Sequence, residues 1–189
     1  MIIHNFNRDQ LPLFLKENYF SLDNLNIAEI GVLYGEYSWI IKQIFKDSNL
    51  YLIDLWETEG NDFYYSARGG VTEHAYSIAK SKFKNDNKVV MLKGGSEDII
   101  KNFEDNFFDF IYIDADHSYE GVKKDINNSI KKLKHGGILA GHDWDPCPGI
   151  PGSSEFGVNK ALTEYLNNDL TQLNLTNEIH CKSWFFQKI

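Results

Sequence analysis

The chain has 189 residues, two cysteines and a formal net charge of −8 at pH 7. This length suits one domain, residues 1–189, and the ordinary apolar content is typical of a folded chain rather than a disordered one. Surfaces that bind nucleic acid carry an excess of Lys and Arg, so the acidic balance argues against DNA or RNA as a partner.

No segment approaches the roughly 20 apolar residues that a membrane-spanning helix needs. The first six residues lack the basic and apolar regions of a secretory signal. We therefore expect no membrane partner and a cytoplasmic location. Cys147 and Cys181 match no metal or redox spacing, which favours free or buried thiols in a reducing compartment.

Short apolar runs alternate with amphipathic stretches along the chain. This alternation predicts an α/β fold of the Rossmann-like type, a doubly wound and mostly parallel sheet with helices on both faces. The tail, from about residue 173, lacks a helical period and is expected to form a C-terminal antiparallel hairpin that closes one edge. In chain order, the predicted elements are a helix over 9–19, a strand over 26–31, a helix over 36–45, a strand over 49–55, a helix over 72–83, a strand over 88–92, a helix over 96–103, a strand over 107–114, a helix over 119–133 stopped at His135-Gly136-Gly137, a strand over 138–142 and a helix over 156–166.

The loop after the first long strand, residues 29–38, is the first candidate binding site, because ligands of open α/β sheets bind at the carboxyl ends of strands. A dinucleotide-binding loop would read G-x-G-x-x-G and would present bare backbone to a pyrophosphate. Here Val32 and Leu33 stand where the second glycine belongs. Glu29 and Glu36 disfavour a pyrophosphate, but they suit the ammonium and sulfonium of S-adenosylmethionine (SAM).

The next two strand ends match the remaining parts of SAM. Asp54 stands where such folds place a ribose-binding acid, and its two oxygens can hold a vicinal diol. Gly95 and Ser96 follow the third strand, where an adenine edge would lie. Each feature has a simpler alternative, a turn cap for Asp54 and an ordinary glycine turn after the third strand. The predicted cofactor-binding residues are Glu29, Gly31, Tyr34, Gly35, Ser38, Asp54, Leu55, Gly95, Ser96 and Asp114.

The fourth and fifth predicted strands end in chemically active residues. Neighbouring strand ends lie close together, so Asp114, His142 and Asp143 are expected to form a Mg or Mn site that lowers the pKa of an acceptor hydroxyl. Because its pKa is ordinarily near neutral, His117 is the predicted general base for that hydroxyl. The alternatives are a core role for His142, a contact of Asp114 with the cofactor ammonium alone, and a helix-capping role for Asp116.

Four motifs together resemble the class I SAM-dependent methyltransferases, in the metal-assisted O-methyltransferase branch that includes macrolide-sugar and cephalosporin-pathway enzymes. The motifs lie at residues 29–38, 51–54, 110–121 and 136–143. The resemblance implies SAM contacts at Glu29, Gly31, Asp54 and Ser96, a metal at Asp114 and Asp143, and a base at His117. Relatives commonly have an acid at the position of His142, and the catechol enzymes have a lysine at that of His117.

The sequence therefore predicts transfer of a methyl group from SAM to a hydroxyl of a small molecule, such as a sugar or a secondary metabolite. The acceptor pocket is expected to come from the opening helix, residues 56–70 and residues 144–157. Two alternatives stay open, a non-catalytic SAM-binding module and a nucleotide-dependent oxidoreductase on the same fold. A homodimer is compatible with the sequence.

Overall fold

The computed structural model describes residues 1–56, 71–150 and 152–189, and its strands form one eight-stranded sheet. The strands are β1 (Ile2–Ile3), β2 (Asn26–Ile30), β3 (Asn49–Asp54), β4 (Val89–Lys93), β5 (Phe108–Ile113), β6 (Leu133–Gly141), β7 (Asn174–Leu175) and β8 (Trp184–Gln187). The α-helices of the described residues are α1 (Leu11–Tyr19), α2 (Glu36–Ile44), α3 (Val71–Phe83), α4 (Ser96–Ile100), α5 (Tyr119–Lys132) and α6 (Val158–Tyr165). Short 3-10 turns cover Arg8–Gln10, Ser153–Glu155 and Leu170–Gln172.

The sheet has the order β1-β7-β8-β6-β5-β2-β3-β4, and β2 to β6 pair in parallel. The chain runs from β2 outward through β3 and β4, and then returns to build β5 and β6 on the other side of β2. The order therefore reverses between β2 and β5, which creates a crevice at their carboxyl ends. This topology confirms the predicted doubly wound, mostly parallel sheet.

The two faces of the sheet bury separate hydrophobic cores. In β5, Phe110 and Tyr112 belong to the core shared with α1, α2 and α3, while Ile111 and Ile113 belong to the core shared with α4, α5 and α6. Consecutive side chains of a strand point to opposite faces, so a parallel strand covered on both sides reads as a continuous apolar run. Helices therefore cover both faces, as the sequence predicts.

The C-terminal hairpin is confirmed, but it does not form the edge of the sheet. β8 pairs antiparallel with both β6 and β7. β1 adds in parallel to β7, with Ile2 opposite Asn174 and Ile3 opposite Leu175, so the N-terminus of the chain supplies the edge strand. A strand of two residues is too short to show a period, which is why sequence patterning misses it.

The predicted end of α5 is confirmed to within one residue, but the role of His135-Gly136-Gly137 as its stop is wrong. α5 ends at Lys132, and the chain continues directly into β6, which contains those three residues. The pairing shifts between Phe108 opposite Leu133 and Phe110 opposite Ile138, so the glycines lie in an irregularity of the strand. Glycine after a helical pattern usually marks a helix end, but here it serves a bulge.

The expectation of free thiols is also wrong, because Cys147 and Cys181 form a disulfide. The two residues are 34 positions apart in sequence. Pairing of β6 with β8 brings the segments beyond them together, and the Trp144 N–H donates to the Lys182 carbonyl at 3.0 Å. The bond thus joins the loop after β6 to the segment before β8.

Among the described residues, no helix is long and apolar enough to cross a membrane.

We predict that Gly141→Ala destabilises the sheet where β6 meets β5 and β8. An added Cβ would lie 2.5 Å from the Ile113 carbonyl oxygen and 2.5 Å from Trp184 Cζ2. Overpacking of this kind lowers the free energy of unfolding by about 1–3 kcal/mol. Gly95→Ala is the control, since its Cβ would have no described neighbour closer than Asp98 Oδ2 at 3.9 Å. Equal melting temperatures for the two variants would contradict this account of the packing.

Candidate functional site

Two cavities meet at the carboxyl ends of β2, β3 and β5. They have volumes of about 250 Å³ and about 390 Å³, and both are lined by Gly31, Asp54 and Ala115. Because they share these residues, they form one elongated crevice at the reversal of strand order. An extended ligand with two different ends fits such a crevice.

The first cavity is strongly acidic. Its described lining contains five acidic side chains, one guanidinium and one imidazole, which are those of Asp9, Glu29, Glu36, Asp54, Asp114, Arg8 and His117. A surplus of carboxylates favours a ligand that carries positive charge.

The second cavity lies between the ends of β3 and β4 and the start of α5. The predicted residues Leu55, Gly95 and Ser96 line it. Asp125, from α5, also lines it, is only 5 % exposed and accepts a 2.6 Å hydrogen bond from the Ser96 hydroxyl. Burial raises the pKa of Asp125 to about 6, against the effect of the Ser96 hydrogen bond. The sequence gives no sign of Asp125, because an acid in an amphipathic helix usually faces solvent.

Asp54 holds the loop after β2 through backbone hydrogen bonds. Its Oδ2 accepts from the N–H groups of Val32 and Leu33 at 2.7 and 2.9 Å, and its Oδ1 accepts from the N–H of Trp56 at 2.8 Å. These contacts agree with the alternative in which Asp54 caps a turn. A carboxylate can accept about four hydrogen bonds, so a ribose contact at Asp54 stays a prediction that its remaining capacity permits.

Gly31 is required by the fold before any ligand arrives. A Cβ at this position would lie 2.0 Å from the carbonyl oxygen of Asp114, and the backbone has φ +87°. The missing side chain thus lets the ends of β2 and β5 touch. Gly35 is the N-cap of α2 with φ 73°. Tyr34, Gly35 and Ser38 are not among the described residues that line the two cavities.

Glu29 is a buried acid whose charge depends on its surroundings. Its side chain is 1 % exposed, and its Oε2 accepts a hydrogen bond from the Ser38 hydroxyl. Burial raises the pKa of Glu29 to about 8, although Ser38 and Arg8 oppose that rise. Ser38 therefore holds the Glu29 carboxyl, and a direct contact of Ser38 with a ligand stays a prediction.

Asp114 stands at the centre of a charged network. Its Oδ2 lies 2.6 Å from Nη2 of Arg8, and its Oδ1 lies 3.3 Å from Nε2 of His117. Nε2 of His117 also lies 2.8 Å from Oδ2 of Asp143. Burial alone would raise the pKa of Asp114, but Arg8 and the neighbouring histidines hold that pKa below its ordinary value. The carboxylate is therefore ionised.

Two carboxylates favour the protonated form of His117. Burial lowers its pKa, but hydrogen bonds to Asp114 and Asp143 outweigh burial and raise the pKa to about 10. The Phe156 ring stacks on the imidazole with centroids 4.5 Å apart and planes at 19°. The Gly157 N–H donates to the His117 carbonyl at 2.7 Å, so the loop after β6 holds this residue in place.

His142 has a different environment from His117. Its Nδ1 lies 3.1 Å from the Ser183 hydroxyl, and its Nε2 lies 3.8 Å from Oδ1 of Asp143. Burial, with help from Arg8, lowers its pKa. The neutral imidazole is thus oriented by Ser183, and its role as a metal ligand stays a prediction.

Asp114 and Asp143 gather carboxylate donors for a divalent cation, although the nearest imidazole is that of His117 rather than the predicted His142, and His117 would have to release its proton to become a ligand. Asp114, His117 and Asp143 each place one ligand atom within 4.8 Å of the others. Carboxylates with imidazole are a donor set that Mn and related ions accept.

The helix cap beside this cluster is Ser118, which accepts from the Gly121 N–H at 3.1 Å.

Arg8 is, with Asp125, a site residue that sequence analysis misses, because it lies far from the strand ends in the chain. β1 and the 3-10 turn carry it into the first cavity.

Another prediction, an acceptor contact from residues 56–70, falls outside the described residues except for Trp56. That indole is buried and donates to the Leu33 carbonyl at 2.9 Å.

Comparison with known proteins gives a family match and a set of related folds. The family model described as "Methyltransferase domain" matches residues 28–144. An O-methyltransferase from Bacillus cereus in complex with SAH is 18 % identical, with TM-score 0.64, over 95 % of this chain and 80 % of that one. A putative caffeoyl-CoA O-methyltransferase from Staphylococcus aureus is 18 % identical, with TM-score 0.63, over 95 % and 81 %.

A SAM-dependent methyltransferase from Aquifex aeolicus is 15 % identical, with TM-score 0.62, over 97 % of this chain and 94 % of that one. At these identities the likeness concerns the fold alone. No curated protein matches the chain.

We predict that the free energy of unfolding of Glu29→Gln, relative to that of wild type, is higher at pH 9 than at pH 5. Because the pKa of Glu29 rises from 4.5 to about 8 on folding, folding binds a proton, and wild-type stability falls as pH rises through this window. Gln has no proton to lose, so its advantage should grow by about 2–4 kcal/mol between the two pH values. Denaturant titrations of both proteins at both pH values measure this difference in the free energy of unfolding.

Glu36→Gln is the control, since Glu36 is an exposed carboxylate of the same cavity. The difference in free energy of unfolding between Glu36→Gln and wild type should be the same at the two pH values. A flat difference for Glu29→Gln would contradict the buried, protonated state of Glu29.

Proposed function

The chain belongs to the methyltransferase-domain family, and from that premise we propose that it transfers the methyl group of SAM to a hydroxyl of a small molecule. The observation that carries the proposal is the joined pair of cavities. One cavity is acidic and ends at His117, and the other is lined by Gly95, Ser96 and Asp125. These two halves suit the methionine and the adenosine of SAM.

The adenosine is assigned to the second cavity. Backbone at Gly95 lies beside an adenine edge, and Asp125 offers an acceptor for its amino group. Asp54 lies between the two cavities, where the ribose belongs. The sulfonium and the ammonium then lie in the acidic cavity, near the Asp114 carboxylate, which stabilises positive charge, and near Glu29, whose pKa a bound cation would lower.

In the transfer itself, the acceptor oxygen attacks the methyl carbon as the carbon–sulfur bond breaks. The bonding electron pair remains on sulfur, which leaves S-adenosylhomocysteine (SAH), and the hydroxyl proton goes to His117. Holding both partners in line supplies a large part of the rate enhancement. Phe156 and the loop after β6 restrict the approach to the His117 imidazole.

His117 must be deprotonated before it can accept the proton. Asp114 and Asp143 stabilise its imidazolium. Cationic SAM in the first cavity repels the imidazolium and competes for Asp114, so its binding lowers the pKa of His117. The base thus becomes competent when the methyl donor is in place.

A divalent cation would be held by Asp114 and Asp143, with the imidazole of His117 or His142. When bound, the ion would supply Lewis-acid activation of the acceptor hydroxyl. Phe156 would still cover the site and Glu29 would still face the cofactor cavity, whereas His117 would no longer serve as the base if it were a ligand.

We predict that the protein binds SAM and SAH with micromolar affinity and methylates hydroxylated sugars or secondary metabolites in a screen that uses labelled SAM. His117→Gln should reduce kcat about 10²- to 10⁴-fold, the range for general acid–base catalysis, because it removes the proposed base, and it should have little effect on SAM affinity. Asp145→Asn is the control, because Asp145 pairs instead with Lys182 at 2.5 Å. Absence of SAM and SAH binding by folded protein would refute the proposal.

The screen is repeated with EDTA and with Mg or Mn added back. Loss of turnover in EDTA and its return with the ion would assign hydroxyl activation to the cation. Full turnover in EDTA would assign it to His117 and its two carboxylates.

A further inference from the structure

We propose that Arg8 binds the methionine carboxylate of SAM and thereby selects SAM over analogues that lack this carboxylate. The inference rests on the proposed function, since it assigns a residue to the methionine end of the same crevice. Arg8 lies in the N-terminal segment, outside the matched methyltransferase domain.

The charge of the first cavity creates the need for such a residue. The methionine part of SAM has two positive groups and one carboxylate, and the cavity lining is dominated by acids such as Glu29 and Asp114. Acids suit the two positive groups but repel the carboxylate. Among the described residues that line this cavity, Arg8 is the one with a permanently charged cationic side chain.

Arg8 also has hydrogen-bonding capacity to spare. A guanidinium has five N–H donors in a planar fork, and Nη2 uses one of them on Asp114 at 2.6 Å. Its Nε is buried and has no hydrogen-bond partner among the described residues. A buried donor without an acceptor costs free energy, and a ligand carboxylate would remove that cost.

The guanidinium is held in position before the ligand binds. It packs over the Tyr37 ring at 4.4 Å and the Tyr112 ring at 5.4 Å. The Arg8 backbone N–H donates to Glu178, and its carbonyl accepts from the Tyr37 hydroxyl at 3.3 Å. A cation ordered in this way loses little conformational entropy on binding, which favours a specific contact.

A competing role for Arg8 predicts the opposite effect on affinity. If its guanidinium only occupied the place of the SAM ammonium beside Asp114, then removing it would free that carboxylate. SAM would then bind more tightly to the variant than to wild type. The carboxylate-binding role predicts weaker binding of SAM.

The test is calorimetric titration of wild type, Arg8→Gln and Arg8→Lys with SAM, SAH and decarboxylated SAM. Arg8→Gln should weaken binding of SAM and SAH about 10- to 100-fold, the effect of losing a charged hydrogen bond. Decarboxylated SAM should bind the variant as well as it binds wild type, or more tightly because Asp114 is freed. Arg8→Lys keeps the positive charge but lacks the planar N–H donors of the guanidinium, so its loss of SAM and SAH affinity should be intermediate.

Lys16→Gln is the matched control, because Lys16 is a nearby cation that pairs with Asp23 at 2.8 Å and does not line the cavity. It should leave all three affinities unchanged. Equal weakening of all three ligands by Arg8→Gln would indicate a structural role and overturn the assignment, as would tighter SAM binding. Failure of wild type to bind SAM or SAH would refute the proposed function itself.

Discussion

The structure of the site depends on one partly buried, ionised carboxylate, that of Asp114 at the end of β5. A buried charge is costly unless charged or polar partners surround it. Arg8 comes from the N-terminal segment at 2.6 Å, and His117 comes from the turn before α5 at 3.3 Å. Through His117 the network extends to Asp143 beyond β6. Three segments that are remote in sequence are thus held around one carboxylate.

This arrangement connects the fold to the proposed chemistry. The strand order reverses between β2 and β5, so the ends of these strands form the crevice. Gly31 allows the two strand ends to lie in direct contact there. In the proposed complex, the crevice offers acids to the cationic part of SAM and one guanidinium to its carboxylate. In the proposed mechanism, bound SAM weakens the carboxylate partners of the His117 imidazolium, so that ligand binding and proton acceptance would be coupled through Asp114.

Much of the fold was predictable because its signals are local. Buried parallel strands are continuous apolar runs, and β2 to β5 lie within two residues of their predicted bounds. The strand-end rule also identified Asp114, His117 and Asp143, which the structure brings together. Features that depend on distant pairing were not predictable. Arg8 reaches the site only because β1 pairs with β7. The disulfide likewise follows from the pairing of β6 with β8.

The central claim is that one SAM molecule spans the two joined cavities, and a crystal structure of the complex with SAH tests it most directly. The account predicts the adenine beside Ser96 and Asp125, the ribose at Asp54 and the methionine carboxylate on Arg8. The sulfur should then point toward His117. Adenine density in the first cavity, or SAH bound away from the ends of β2, β3 and β5, would contradict the account.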